Sequence, residues 1–172
     1  MEFIWILEFG YWKLWFVFQM KKILFVCTGN SCRSVMAEAL FRKITSSRAG
    51  QFYVTSAGTG ALDGFPASFE TVLVMQEEEG IDVSDHRSQQ LTAELVRDAD
   101  RIFVMERVHK DWVLQMVPEA KNRVSLLTEY ASAGRGGLTD IDIPDPIRMS
   151  DHFYKNVLSV IRDCVKKIAE SL

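Results

Sequence analysis

Lys22-Ile23-Leu24-Phe25-Val26-Cys27-Thr28-Gly29-Asn30-Ser31-Cys32-Arg33-Ser34 runs from an unbroken apolar stretch into small polar residues that an arginine follows. Ile23 to Val26 is short and continuously apolar, the pattern of a parallel strand covered on both faces. Thr28, Gly29, Asn30 and Ser31 are small or turn-prone, and Gly29 and Asn30 accept positive φ at little cost. Residues 34–45 then carry Met36, Ala39, Leu40, Phe41 and Ile44 on one helical face. Strand, loop and helix in that order place the loop at the carboxyl end of a sheet, where α/β proteins bind ligands.

The same alternation continues outward. Phe52-Tyr53-Val54-Thr55 reads as a second strand, ending in the turn-forming Ser56-Ala57-Gly58-Thr59-Gly60. Pro66 suits the first turn of a helix through Val72, Leu73 and Met75 that stops at Gly80. Thr92 caps a helix packed through Leu95 and Val96. Arg101-Ile102-Phe103-Val104-Met105 is a third strand, residues 109–116 a short helix ahead of Pro118, and Val124-Ser125-Leu126-Leu127 a fourth strand. Residues 134–146, with Gly134, Gly136, Pro144 and Pro146, make a long loop. Residues 150–172 form an amphipathic helix through Phe153, Val157, Val160, Ile161, Val165 and Ile168. The expectation is an α/β sandwich of helices around a parallel sheet.

The 172 residues include 25% charged and 48% hydrophobic side chains, the balance of a soluble globular domain. A net charge of −3 with no basic block argues against nucleic-acid binding. Three irregularly spaced cysteines do not make a disulfide framework, so a reducing, cytoplasmic setting is expected. His86, His109 and His152 stand singly, far from any zinc spacing, and read as surface or packing residues. Residues 1–19 differ from the rest, holding Trp5, Trp12, Trp15 and further aromatics. They lack the basic start and small-residue cleavage site of a secretory signal, and Glu8 and Lys13 would be costly inside a bilayer. They read as an atypical hydrophobic extension to a domain of residues 20–172, with Met20 as a candidate start. A membrane contact is expected only through that extension.

The loop itself suggests chemistry. Inward-pointing amides followed by a helix N-terminus make an anion cradle, and Arg33 adds a planar fork for two phosphate oxygens. Oriented amides, the helix end and Arg33 all favour the thiolate of Cys27 over its thiol. Ser34 has a hydroxyl to stabilise that sulfur as a leaving group. The pattern suits in-line attack on phosphorus, a phosphocysteine intermediate and its hydrolysis, with no cofactor and no metal. Such a scheme needs an acid for the leaving group. Asp145, stiffened between Pro144 and Pro146, is the first choice, with Asp140 and Asp142 as rivals on the same loop.

Ile23-Leu24-Phe25-Val26-Cys27-Thr28-Gly29-Asn30-Ser31-Cys32-Arg33-Ser34 followed by Met36-Ala37-Glu38-Ala39-Leu40 resembles the low-molecular-weight protein phosphatases. That family also includes protein-arginine phosphatases and thioredoxin-coupled arsenate reductases. Ser56-Ala57-Gly58, His86 with Gln90-Leu91-Thr92, Met105 and Asp145-Pro146 recur in the family's order. The resemblance spans about residues 21–172. It implies a three-layer sandwich with a central four-stranded parallel sheet, and a phosphate-binding loop of Thr28, Gly29, Asn30, Ser31, Cys32, Arg33 and Ser34. It further implies Cys27 as nucleophile, Arg33 as clamp and Asp145 as general acid. Asn30 and Ser34 would shape the loop, with His86 hydrogen-bonded near Asn30, and phosphorylated proteins would be the substrates. Cys32, at the family's second-cysteine position, is either a packed small residue or the partner of Cys27 in a reversible protective disulfide.

The sequence departs from the family pattern at three places. Val35 stands where proline is usual. Ile147-Arg148 follows Asp145-Pro146 where many tyrosine-directed members carry aromatics. Ser31 stands where tyrosine-directed members often have Ile and arginine-directed members Thr. The expected substrate is phosphotyrosine in proteins, with phosphoarginine as the alternative. Leu62 and Phe65 remain available to pack on a ring. Arsenate reduction is the weaker alternative, because no cysteine lies between Cys32 and Cys164 to relay a disulfide.

Overall fold

The computed structural model describes residues 4–9, 12–17, 20–48, 50–132 and 142–172. Two strands open it, β1 (Ile4–Phe9) and β2 (Trp12–Val17), paired antiparallel with Ile4 opposite Val17. The aromatic and β-branched composition of this stretch favours the extended chain. Among the described residues no helix is long and apolar enough to cross a membrane.

The main sheet has four parallel strands in the order β4-β3-β5-β6. These are β3 (Lys21–Cys27), β4 (Phe52–Gly58), β5 (Arg101–Val104) and β6 (Val124–Leu126). The apolar run of β3 serves both faces, as its continuity requires. Ile23 and Phe25 join one buried cluster, and Leu24 and Val26 join the other. On the first face pack α1 (Arg33–Ile44), α2 (Phe69–Glu79), α5 (Leu127–Ser132) and α6 (Asp151–Ser171). On the second pack α3 (Ala93–Asp98) and α4 (Arg107–Met116). The expected three-layer sandwich is thus observed, with Phe25 stacked against Phe103 at the centre of one layer.

Several boundaries differ from the sequence reading. The second strand continues through Ser56 and Ala57 to Gly58, because Cys27 pairs with Gly58 at the end of the β3–β4 ladder. Pro66 lies ahead of its helix: α2 starts at Phe69, where Ser68 Oγ accepts the Thr71 amide and supplies the cap that proline cannot. Gly80 does stop α2, in the left-handed conformation at φ 64°. The third and fourth strands end one residue sooner, and α5 takes up Leu127 as a short helix that its six residues were too few to announce. The glycines at 134, 136 and 137, and Asp140, lie outside the described residues.

Candidate active site

Between β3 and α1 the chain curls around the sulfur of Cys27. Four of its carbonyls are engaged by donors from outside the loop. Cys27 O accepts from Thr59 N at 2.9 Å, Thr28 O from Gly60 N at 2.9 Å, and Ser31 O from Ser68 N at 3.0 Å. Asn30 O accepts from His86 Nε2 at 2.8 Å. With the carbonyls engaged outside, the loop's amides are left to face inward, and Asn30 N donates to Cys27 Sγ at 3.3 Å. The first-turn amides of α1 have no intrahelical acceptors, and Cys32 at the N-cap supplies no side-chain cap. The curl therefore has the form of an anion cradle.

Asn30 holds this curl together. It is fully buried and sits at φ 51°, a left-handed position that its short amide tolerates. Gly29, the other residue expected to use positive φ, does not, and a Cβ there would meet only Ser31 Oγ at an ordinary 3.5 Å. Asn30 Oδ1 accepts Gln89 N at 2.9 Å, while its Nδ2 donates to Ser34 Oγ at 3.0 Å and Ser56 Oγ at 2.8 Å. Both Nδ2 protons are then used. Ser34 Oγ, an acceptor from Asn30, has its own proton free for Cys27 Sγ, 3.0 Å away. Ser56 Oγ passes its proton to Glu38 Oε2 at 2.5 Å, and Glu38 pairs with Arg42. A buried polar chain thus runs from Glu38 to the sulfur.

Arg33 closes the other side and is 1% exposed despite its charge. Its Nη1 donates to the Glu106 carboxylate and to Ile143 O (2.7 Å), and its Nη2 lies 3.0 Å from Asp145 Oδ2. A buried guanidinium requires such partners. Of the three carboxylates weighed on the loop before α6, Asp145 is the one brought to Arg33. Asp142 Oδ1 instead accepts Arg107 N at the start of α4, and Asp140 lies outside the described residues. Ile143 is buried and anchors this loop through its amide on Met105 O. Asp145 itself is half exposed, its Oδ1 accepting Ile147 N at 3.2 Å.

Thr28 is exposed and Ser31 partly so. Cys32 faces different partners from Cys27, lying 3.3 Å from Ser68 Oγ and 3.6 Å from the Tyr154 hydroxyl. Burial pushes the Tyr154 phenol above its ordinary range, with Cys32 adding to the effect. Among the described residues no group of His, Cys, Asp or Glu is arranged to hold a metal ion. Leu62 and Phe65, on the loop after β4, are exposed, and Ser88 Oγ holds that loop through Leu62 O and Phe65 N.

Two residues here escaped the sequence reading. Glu106 follows the end of β5, a position where a charged residue after an apolar strand is itself a signal. His109, which the sequence reads as a surface or packing residue, is buried with both ring nitrogens bonded, Nε2 to Thr28 Oγ1 and Nδ1 to Glu106 N. Burial lowers its pKa, Arg33 lowers it further, and the carboxylates of Glu106, Asp145 and Asp142 oppose the shift.

The profile of the low molecular weight phosphotyrosine protein phosphatases matches residues 22–172. A probable low molecular weight protein-tyrosine-phosphatase, EpsP, of Ralstonia solanacearum is 40% identical over 143 residues, covering 83% of this chain and 90% of that protein. A protein-arginine-phosphatase of Geobacillus stearothermophilus is 36% identical, covering 88% of this chain and 95% of the relative. The crystal structure of a low molecular weight protein tyrosine phosphatase from T. tengcongensis superposes with a TM-score of 0.79 at 36% identity, over 88% of this chain and 99% of that one.

Proposed function

Because the chain belongs to the low molecular weight phosphotyrosine protein phosphatase family, we propose that it hydrolyses phosphoryl groups on proteins through a phosphocysteine at Cys27. The observation that carries this reading is the sulfur's setting. Cys27 Sγ accepts from Asn30 N (3.3 Å) and lies 3.0 Å from Ser34 Oγ, in a loop where the carbonyls of Cys27, Thr28, Asn30 and Ser31 are engaged by outside donors. Such donors stabilise a thiolate and later stabilise it again as a leaving group. The thiolate attacks phosphorus in line, the phosphorus–oxygen bond to the substrate breaks, and a protonated Asp145 delivers its proton to the departing oxygen. Asp145 then takes a proton from water, the water oxygen attacks phosphorus, and the sulfur leaves with release of phosphate.

Thr28, Gly29, Asn30, Ser31, Cys32, Arg33 and Ser34 are assigned to phosphate binding, with His86 supporting the loop. The Arg33–Asp145 pair fits this cycle. Phosphoryl oxygens and Asp145 compete for the same guanidinium edge, so substrate binding frees the carboxyl for the leaving group. The phosphatase domain is assigned to residues 20–172, and its setting to the cytoplasm, where Cys27 stays reduced; all three cysteines are free thiols. Nucleic acid, metal and cofactor have no part in the scheme.

Phosphotyrosine is the first substrate proposed, with exposed Leu62 and Phe65 available to flank a ring. Phosphoarginine is the second. It is favoured by the partly exposed Ser31 hydroxyl inside the loop and by Ile147 in place of an aromatic. Arsenate reduction finds no relay, since burial in α6 pushes the Cys164 thiol up to about 11. The test compares hydrolysis of phosphotyrosine and phosphoarginine peptides by the wild type and Ser31→Ile. Loss of phosphoarginine turnover alone in the variant would assign the second substrate. Cys27→Ser should abolish turnover of both while retaining phosphate binding, and unchanged turnover would refute the mechanism.

A further inference from the structure

Thr28 Oγ1 is constrained in what it does with its own proton. His109 Nδ1 accepts the Glu106 amide at 3.1 Å, so the neutral ring carries its hydrogen on Nε2. That N–H donates to Thr28 Oγ1 at 2.9 Å. Arg33 Nη2 approaches the same oxygen at 3.5 Å. With its lone pairs taken from two sides, the hydroxyl is left one role, that of donor. Thr28 is exposed at the rim of the loop, with the guanidinium of Arg33 beside it.

These contacts close into a ring. Arg33 Nη1 grips the Glu106 carboxylate, Glu106 N–H donates to His109, His109 donates to Thr28, and Arg33 Nη2 closes the ring as a second donor toward Thr28 Oγ1. We propose that His109 is a positioning residue that turns the Thr28 hydroxyl into an obligate donor for a phosphoryl oxygen of the bound substrate. The inference rests on the phosphatase reading and extends it: the Nδ1 contact to the Glu106 amide completes the capping box of α4, and the Nε2 contact to Thr28 lies outside that box. A second proton on the ring would break the arrangement. Nδ1–H would then confront the Glu106 N–H, donor against donor, and the ring would have to turn away from Thr28. The groups facing His109 are Glu106, Arg33, Asp145 and Asp142, together with the Thr28 hydroxyl.

The experiment measures binding of inorganic phosphate by calorimetry across pH, independently of turnover, for wild type, Thr28→Val, His109→Leu, the double variant and His109→Gln. Each of the first two single variants should lose about tenfold in affinity, the cost of one hydrogen bond to a charged acceptor. The double variant should lose no more than either single one, because both remove the same donor. His109→Gln, which keeps an N–H donor without a titrating ring, should bind within about threefold of wild type and lose the acid-side weakening. Wild-type affinity in His109→Leu, or losses that multiply in the double variant, would overturn the proposal. A lowered melting temperature with unchanged phosphate affinity would reduce His109 to a structural residue and would overturn it equally. Failure of the folded wild type to hydrolyse an aryl phosphate would instead overturn the phosphatase reading, and the binding cycle would still decide the role of His109.

Discussion

Gly58 ends β4 beside the loop, and replacing it with alanine should damage the site from outside. A Cβ at this position would lie 2.4 Å from the Thr28 carbonyl oxygen, 2.9 Å from Asn30 N and 2.9 Å from Ala61 Cβ. Two of these atoms are backbone and the third is the root of a side chain, so no rotamer change relieves the contact. Real Cβ contacts essentially never fall below 3.0 Å, so the Thr28 carbonyl must retreat by at least 0.6 Å (3.0 − 2.4). Asn30 N is the amide that donates to Cys27 Sγ, so the push falls on the sulfur's own support. Overpacking of this kind costs about 1–3 kcal/mol, or roughly 2–12 °C in melting temperature for a domain of this size. A misplacement of about 1 Å at a reacting centre costs on the order of a hundredfold, so the smaller shift here should lower kcat/KM by about ten- to a hundredfold. The assay is hydrolysis of an aryl phosphate alongside a thermal scan, with Gly60→Ala as control, since its nearest atoms lie 3.9 Å from the added Cβ. A Gly58→Ala variant with wild-type melting temperature and wild-type kcat/KM would refute the packing argument.

Other outcomes follow from the same contacts. Asp145→Ala should lower kcat by about a hundredfold or more for aryl phosphates with poor leaving groups and much less for good ones, as a leaving-group series would reveal. Asn30→Ala should cost at least about 2 kcal/mol in urea unfolding, because it strands the Gln89 amide and places alanine at φ 51°. The folded pKa of His109 lies below its ordinary 6.5, so the folded state binds fewer protons than the unfolded chain once the pH drops. Its contribution to stability is therefore present above about pH 6.5 and lost as the pH falls through the folded pKa. Melting temperatures measured from pH 7 down to pH 5 should fall more steeply in wild type than in His109→Gln, and equal slopes would count against that sign.

The layered fold was legible because one short segment carried it. Ile23, Leu24, Phe25 and Val26 admit only an interior strand with helices on both sides, and the loop after them inherits its place at the sheet's carboxyl edge. Pro66 and the end of the second strand were misread for a tertiary reason. Ser68 is both the cap of α2 and the donor to Ser31 O, and Gly58 is in the strand because it pairs with Cys27. Within the site, residues 27–34 stand together in the chain and Asp145 is marked by its flanking prolines, whereas Glu106 and His109 meet Arg33 and Thr28 only through folding.

That remainder still has a physical rule behind it. A loop that turns its amides inward must turn its carbonyls outward, and each outward carbonyl near the core demands a donor. Thr59, Gly60, Ser68 and His86 meet that demand for Cys27, Thr28, Ser31 and Asn30. A buried arginine likewise demands acceptors, and Glu106, Ile143 O and Asp145 meet it for Arg33. The sequence of the loop thus states how many partners the rest of the chain must provide, and of what kind, without saying where they lie. Searching the carboxyl ends of the other parallel strands would have found Gly58 and Glu106. It would not have found Asp145, whose segment follows the last strand and reaches the site through the buried Ile143, its amide on Met105 O and its carbonyl on Arg33. Asp145 is held by the same guanidinium that a phosphoryl group would claim, so in the proposed mechanism the position of the acid is tied to whether the cradle is filled.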